Sequence, residues 1–223
     1  MNERYERNIG VLTREEQELL RTKRAVITGC GGLGGYIAEF LARIGLGHLT
    51  LIDGDTFAAS NLNRQLASLE TNLGKNKAAE TAKRLLQVRA DLSVKAVDFF
   101  LNEENAEKLL KEHDVILDAL DSIKTRLLVE KTASLLGIPL VHGAVNGWNA
   151  QICTVFPGDF TLSALYTENS ESGKPGVLSF TPAFCASLQV SEAVKVLLNK
   201  GNVLRRKLLV VDLRDTTFEF IEL

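Results

Sequence analysis

A glycine cluster followed by a carboxylate can hold a nucleotide. Gly29-Cys30-Gly31-Gly32-Leu33-Gly34 fits G-x-G-x-x-G, and Asp53 stands 24 residues beyond Gly29. Glycines at this spacing let backbone pass close to phosphate, and the helix they open offers unpaired N–H groups. An acid at the end of the next strand accepts hydrogen bonds from ribose hydroxyls. The residues after Asp53 bear on how much anionic charge the site is built for. Asp55, Asn61, Arg64, Gln65 and Lys77 follow in order. A dinucleotide needs little beyond the acid. Two cations and two amides downstream of it suit a triphosphate, whose charge needs several compensating donors. Lys77 falls at the start of a helix, where the dipole disfavours a cation, so an anion nearby explains it better than a solvated face does.

The elements around these residues give the motif its context. Ala25–Thr28 is a short apolar run that predicts a buried strand. Leu33, Ile37, Phe40, Leu41 and Ile44 carry helical periodicity, stopped by Gly45 and Gly47, and His48–Ile52 predicts a second strand ending at Asp53. Strand, glycine turn, helix, strand, acid is the order a nucleotide site requires; a tightly packed βαβ turn without ligand is the plainer alternative. Thr13-Arg-Glu-Glu16 has capping-box spacing ahead of a short helix. Helices are expected over Asn76–Arg89, Glu103–Glu112, Ser122–Leu136 and Ala183–Leu198, the last capped by Gly201. Strands are expected at Val94–Val97, Asp114–Asp118, Ile138–Ala144 and, antiparallel, Gln151–Phe156. A hairpin of Leu208–Leu213 with Thr217–Ile221 closes the chain. The loop Thr56–Asn76 is long for such a connection, and long loops tend to carry function. This alternation predicts an α/β fold: a doubly wound, Rossmann-like, mostly parallel sheet with helices on both faces and antiparallel strands at one edge. Residues 1–223 form a single domain, with 1–22 as an N-terminal helical arm and 159–176 as a polar loop that is mobile over a site or simply disordered.

Composition narrows the chemistry further. The 223 residues suffice for one large α/β domain, and 45% hydrophobic with 24% charged residues is ordinary for a soluble globule. A net charge of −2 predicts no surface that coats a polyanion. No apolar run reaches the length a membrane helix needs, and the N-terminus lacks the apolar core of a signal peptide. Three unpatterned cysteines fit a reducing cytoplasm. Cys30 reads as a small buried residue rather than a nucleophile, and His142 as a satisfied histidine at a strand end rather than a base. Asp118 and Asp121 follow a buried strand, beyond whose carboxyl end ligands of open sheets sit. Asp121 would otherwise serve as the N-cap of the helix after it.

The ordered set of Arg4-Tyr-Glu-Arg7-Asn, Gly29–Gly35, Asp53-Gly-Asp55, Asn61-Leu-Asn-Arg64-Gln65, Gly74 with Lys77, and Leu117-Asp118-Ala-Leu-Asp121 resembles the MoeB/ThiF/HesA adenylyltransferases, relatives of the ubiquitin-activating enzymes. The resemblance runs from about Arg4 to about Phe156, and again more loosely over the last helix. It implies a homodimer that binds ATP and Mg2+ and adenylates the C-terminal glycine carboxylate of a ubiquitin-like sulfur carrier protein ending in Gly-Gly, in a thiamine or molybdopterin type of pathway. Gly29, Gly31, Gly32, Gly34, Asp53, Asp55, Asn61, Arg64, Gln65, Lys77 and Asp121 would then line the nucleotide site. Asp121 matches the family aspartate tied to Mg2+, an ion suited to one carboxylate plus phosphate oxygens and waters. Arg7 matches an arginine that reaches the phosphates in the partner subunit. The resemblance thus makes Arg7, Arg64, Lys77 and Asp121 the catalytic group. Two departures matter. Ser122 replaces the asparagine common after that aspartate, a pattern closer to the tRNA threonylcarbamoyladenosine dehydratases. There is no C-x-x-C, and no cysteine between Thr154 and Phe184, so neither a structural zinc nor a covalent step through a cysteine in that stretch is expected. The alternatives are adenylation of another carboxylate, including one on modified tRNA, which is where nucleic acid would enter; an NAD-dependent oxidoreductase, which leaves Asn61, Arg64 and Lys77 unexplained; and a nucleotide-binding scaffold without turnover.

Overall fold

The computed structural model describes residues 3–167 and 176–223. The chain opens with a 3-10 turn, Glu3–Asn8, and helix α1, Arg14–Thr22. The capping box is present: Thr13 Oγ1 accepts the Glu16 N–H at 3.1 Å, and Glu16 Oε2 accepts the Thr13 N–H at 2.8 Å. Then come β1 (Arg24–Thr28), α2 (Gly32–Ile44), β2 (His48–Ile52), α3 (Lys77–Val88), β3 (Ser93–Val97), α4 (Ala106–Leu110) and β4 (Val115–Asp118). The second half holds α5 (Ile123–Leu136), β5 (Leu140–Asn146), β6 (Asn149–Val155), α6 (Thr161–Leu165), α7 (Phe180–Leu198), β7 (Lys207–Asp212) and β8 (Thr217–Glu222).

All eight strands form one sheet in the order β3-β2-β1-β4-β5-β6-β7-β8. The first five are parallel, and β6, β7 and β8 add on antiparallel, as the sequence pattern predicts. Side chains alternate across the sheet with period two. Ala25 and Ile27 of β1 point into a core shared with Ile37 and Leu41 of α2, Leu85 of α3 and Val190 of α7. Val26, between them, joins Ile116 in a second core with Leu110 of α4, Val129 of α5 and Leu162 of α6. Helices therefore cover both faces. None among the described residues is long and apolar enough to cross a membrane.

Several element ends differ from expectation, each for a local reason. Helix α4 is shorter than 103–112 because Asn102 Oδ1 accepts the amides of Glu104 and Asn105 at 3.0 Å, an alternative to starting the helix there. Helix α7 begins at Phe180 rather than Ala183; Pro182 fits its first turn, where an N–H would be unpaired in any case. Asn199, with φ +49°, ends α7, so Gly201 is not its cap. The cap of α5 is Ser122, not Asp121. Of the loop expected at 159–176, Thr161–Leu165 is the short helix α6, whose Leu162 and Ser163 amides are held by the Glu130 carboxylate at 2.5 and 2.9 Å. Residues 168–175 lie outside the described residues.

The topology creates one crevice. From β1 the chain crosses through α2 to β2 on one side; from β4 it crosses through α5 to β5 on the other. The loops after β1 and β4 diverge, and ligands of such sheets bind between them, beyond the carboxyl ends of the strands.

Candidate functional site

The loop after β1 is shaped for close approach. Gly29 has φ +95° and donates its N–H to the Ile52 carbonyl at 2.8 Å. A Cβ on Gly29 would lie 2.6 Å from the Ala119 carbonyl oxygen, and one on Gly34 would lie 1.8 Å from that of Gly29. Glycine thus lets α2 start against the strand ends and against the loop after β4. Gly31 is the N-cap of α2 and offers no side-chain cap, so the first amides of α2 face the crevice without an internal acceptor of that kind.

Asp53 closes the loop from the β2 side. Its Oδ2 accepts the Cys30 N–H at 2.7 Å and its Oδ1 the Asp55 N–H at 2.9 Å. Burial raises its pKa, with the two amide bonds opposing. Asp55 pairs with Lys77 at 2.6 Å. Partial burial pushes the Asp55 carboxyl up, but the Lys77 hydrogen bond, the Thr56 amide and the Lys77 charge together outweigh this and leave it below its usual value. Lys77 itself is buried at the first position of α3, a helix capped by Asn76, whose Oδ1 accepts the Ala79 N–H at 2.9 Å. Asp55 is the anion that balances this cation in the structure.

The long loop 56–76 folds back over the glycine turn. The Arg64 side-chain stem comes within 3.8 Å of where a Cβ on Gly32 would be, and Gln65 Nε2 within 3.5 Å of that on Gly31. Arg64 Nη1 donates to the Ser60 carbonyl and to Asn63 Oδ1, both at 2.8 Å. Gln65 is buried, and its Oε1 has no hydrogen-bond partner among the described residues. Asn61 is also buried, and its Oδ1 accepts the Ala58 N–H at 2.9 Å, so it shapes the loop. Asp121 is exposed on the loop after β4; Ser122 takes the capping role by accepting the Thr125 N–H at 3.3 Å.

The structure therefore gathers Gly29, Gly31, Gly32, Gly34, Asp53, Asp55, Asn61, Arg64, Gln65 and Lys77 at the carboxyl end of the sheet, with Asp121 on the adjoining loop. It does not bring Arg7 there. Arg7 belongs to the turn whose Tyr5 ring would meet a Cβ on Gly45 at 2.9 Å and whose Asn8 donates to the Ile44 carbonyl at 3.4 Å. That is the far end of α2, roughly 20 Å away at 1.5 Å per residue.

His142 is a satisfied histidine, as its strand-end position suggests. It is fully buried, with Nδ1 at 2.6 Å from Asp118 Oδ2 and Nε2 at 3.1 Å from the Tyr166 hydroxyl. Burial lowers its pKa, so the ring is neutral at pH 7. Burial also pushes Asp118 up, but the charge of Arg126, the hydrogen-bonded His142 and the Leu120 amide act together against it and hold the carboxyl below its usual value. Sequence reasoning missed Arg126 and Tyr166. The available signal was a cation at 126 on the same helical face as Val129 and Ala133, an inward face that rarely carries charge without a partner.

All three cysteines, Cys30, Cys153 and Cys185, are buried. Burial pushes the Cys153 thiol up to about 12 and raises the other two as well, which is unsuited to a nucleophile. Among the described residues no group of three or more His, Cys, Asp or Glu is arranged to hold a metal ion.

Comparison with known proteins places this architecture. The profile of the ThiF family matches residues 5–223. The chain belongs to the ThiF family. It is 34% identical to the SAMP-activating enzyme E1 of Haloferax volcanii over 98% of this chain and 84% of that protein. It is 33% identical to the sulfur carrier protein adenylyltransferase of Thermus thermophilus, over 92% and 80%. It is 32% identical to the molybdopterin-synthase adenylyltransferase of Escherichia coli, over 93% and 86%. The fold superposes with a TM-score of 0.87 on a crystal structure of E. coli MccB with ATP, at 23% identity, covering the whole of this chain and 72% of that one. This ThiF-family chain thus shares the fold of that group, including the antiparallel edge.

Proposed function

We propose that this ThiF-family protein is an adenylyltransferase that activates the C-terminal glycine carboxylate of a small ubiquitin-like sulfur carrier protein. The observation that carries the reading is the meeting of the Gly29–Gly34 turn, Asp53, Arg64 and Lys77 at one sheet end, in a chain whose named relatives activate such carriers. The donor set fits a nucleoside triphosphate: a backbone cradle that a Cβ would fill, and the two cations Arg64 and Lys77 beside it.

In this reading ATP lies across the glycine turn. The free amides at the start of α2 face its phosphates, and Asp53 accepts from its ribose while continuing to hold Cys30. Arg64 and Lys77 balance charge as it builds on the phosphates, Lys77 loosening from Asp55 to do so. Arg7 comes from a second subunit, because in its own chain it sits at the wrong end of α2. Asp121 would hold Mg2+, an ion that would supply further positive charge against the triphosphate. The incoming carboxylate oxygen bonds to the α-phosphorus, the bond to the bridging oxygen breaks, and pyrophosphate leaves with that electron pair. No protein nucleophile takes part, in keeping with three buried thiols. Positioning and charge stabilisation carry the catalysis.

The test is exchange of labelled pyrophosphate into ATP. Exchange should appear when a carrier ending in Gly-Gly is added, and should vanish when the last glycine of that carrier is deleted. Absence of exchange with every Gly-Gly carrier, together with exchange on threonylcarbamoyl-modified tRNA, would transfer the activity to a different carboxylate.

A further inference from the structure

Beneath the crevice runs a chain of polar groups that all orient one way, half-buried at Gln151 and Tyr166 and fully buried at His142 and Asp118. The Gln151 amide donates to the Tyr166 hydroxyl. The neutral His142 ring accepts from Tyr166 at Nε2 and donates from Nδ1 to Asp118. The Asp118 carboxylate also receives the Leu120 N–H at 2.9 Å and lies 3.4 Å from Arg126 Nε. Arg126 Nη2 donates to the Leu120 carbonyl, and its guanidinium sits 5.7 Å from the centre of the Tyr166 ring. The N–H and the C=O of Leu120 are therefore each fixed, one by the carboxylate and one by the guanidinium. Leu120 precedes Asp121. Ala119, before Leu120, is the residue against which Gly29 packs.

From this geometry we infer that Arg126 is a positioning residue: by holding the Leu120 carbonyl while balancing Asp118, it fixes the backbone from which Asp121 meets the metal–triphosphate. The inference rests on the nucleotide reading given above. A planar guanidinium can serve the carboxylate and the carbonyl together. A lysine would keep the charge but, as a compact ammonium, cannot span both. The ion pair with Asp118, at 3.4 Å and without a hydrogen bond from Nε, would account for stability alone; the hydrogen bond from Nη2 to the carbonyl of the residue before Asp121 is what ties Arg126 to the site.

The test is calorimetric binding of ATP with and without Mg2+ to Arg126→Lys, wild type and Asp121→Ala. Wild type should bind ATP at least about tenfold more tightly with Mg2+. In Arg126→Lys that gain should shrink to about threefold or less, while metal-free ATP binds within about threefold of wild type. The double variant Arg126→Lys/Asp121→Ala should lose no more of the Mg2+ gain than Asp121→Ala alone, because both act through one carboxylate. A general loosening of the fold would instead weaken metal-free ATP as well. Tyr166→Phe removes one hydroxyl from the chain, leaves the ion pair whole, and should move the Mg2+ gain the same way by less; it serves if Arg126→Lys does not fold. An undiminished Mg2+ gain in a folded variant overturns the inference. Failure of the wild type to bind ATP with or without Mg2+ overturns the nucleotide reading instead.

Discussion

Asp121 stands exposed one residue before the N-cap of α5, and that single offset separates two roles. Had Asp121 capped the helix, its removal would cost about 1 kcal/mol of stability. Because Ser122 accepts the Thr125 amide, Asp121 carries no capping bond. Asp121→Ala should therefore leave the thermal midpoint within about 2 °C of wild type. Pyrophosphate exchange should fall by at least about a hundredfold, the scale seen when one charge-stabilising group is lost from an active site. Unaltered exchange would remove the metal role. At this scale the sequence offered two readings of one aspartate, since either Asp121 or Ser122 has a side chain able to cap; the fold decides which oxygen faces the amide.

At the scale of elements, the glycine turn and the helix it opens behave as one unit. The fingerprint, the strands beside it and the acid at the end of β2 were legible because each depends on local pattern: apolar period, glycine spacing, strand length. The contacts that make the unit work are not local. Gly34 is required because α2 crosses the Gly29 carbonyl, and Gly29 because the loop after β4 presses on it. Gly34→Ala would place a methyl 1.8 Å from that carbonyl oxygen, so α2 must move away from the turn. ATP affinity should drop at least about tenfold by calorimetry, consistent with a lost cradle of backbone donors. Binding equal to wild type would mean that the turn does not hold the phosphates. The start of α4 went astray where a side chain competes with the backbone, as Asn102 does; the end of α7 fell at Leu198 as expected, but the left-handed residue that caps it is Asn199 rather than Gly201.

At the scale of the whole molecule, the position of Arg7 requires a second subunit if Arg7 acts at all. It sits at the end of α2 opposite the glycine turn. Mixing Arg7→Ala with Asp121→Ala subunits should restore about a quarter of wild-type sites, since half of randomly formed dimers are mixed and each holds one intact site. Exchange assays on the mixture, against each variant alone, measure this. No recovery in subunits shown to have exchanged would exclude the trans role.

By itself the sequence determined the doubly wound class, the crevice-forming glycine turn, the candidate nucleotide residues and the family, because these rest on periodicity, short-range spacing and residue type. Tertiary structure alone decided that Lys77 is balanced by Asp55, that Asn61 is turned to its own loop, and that Arg126, Tyr166 and His142 converge under Asp118. Those partners come from elements far apart along the chain, and a buried charge shows its purpose only when the group opposite it is known.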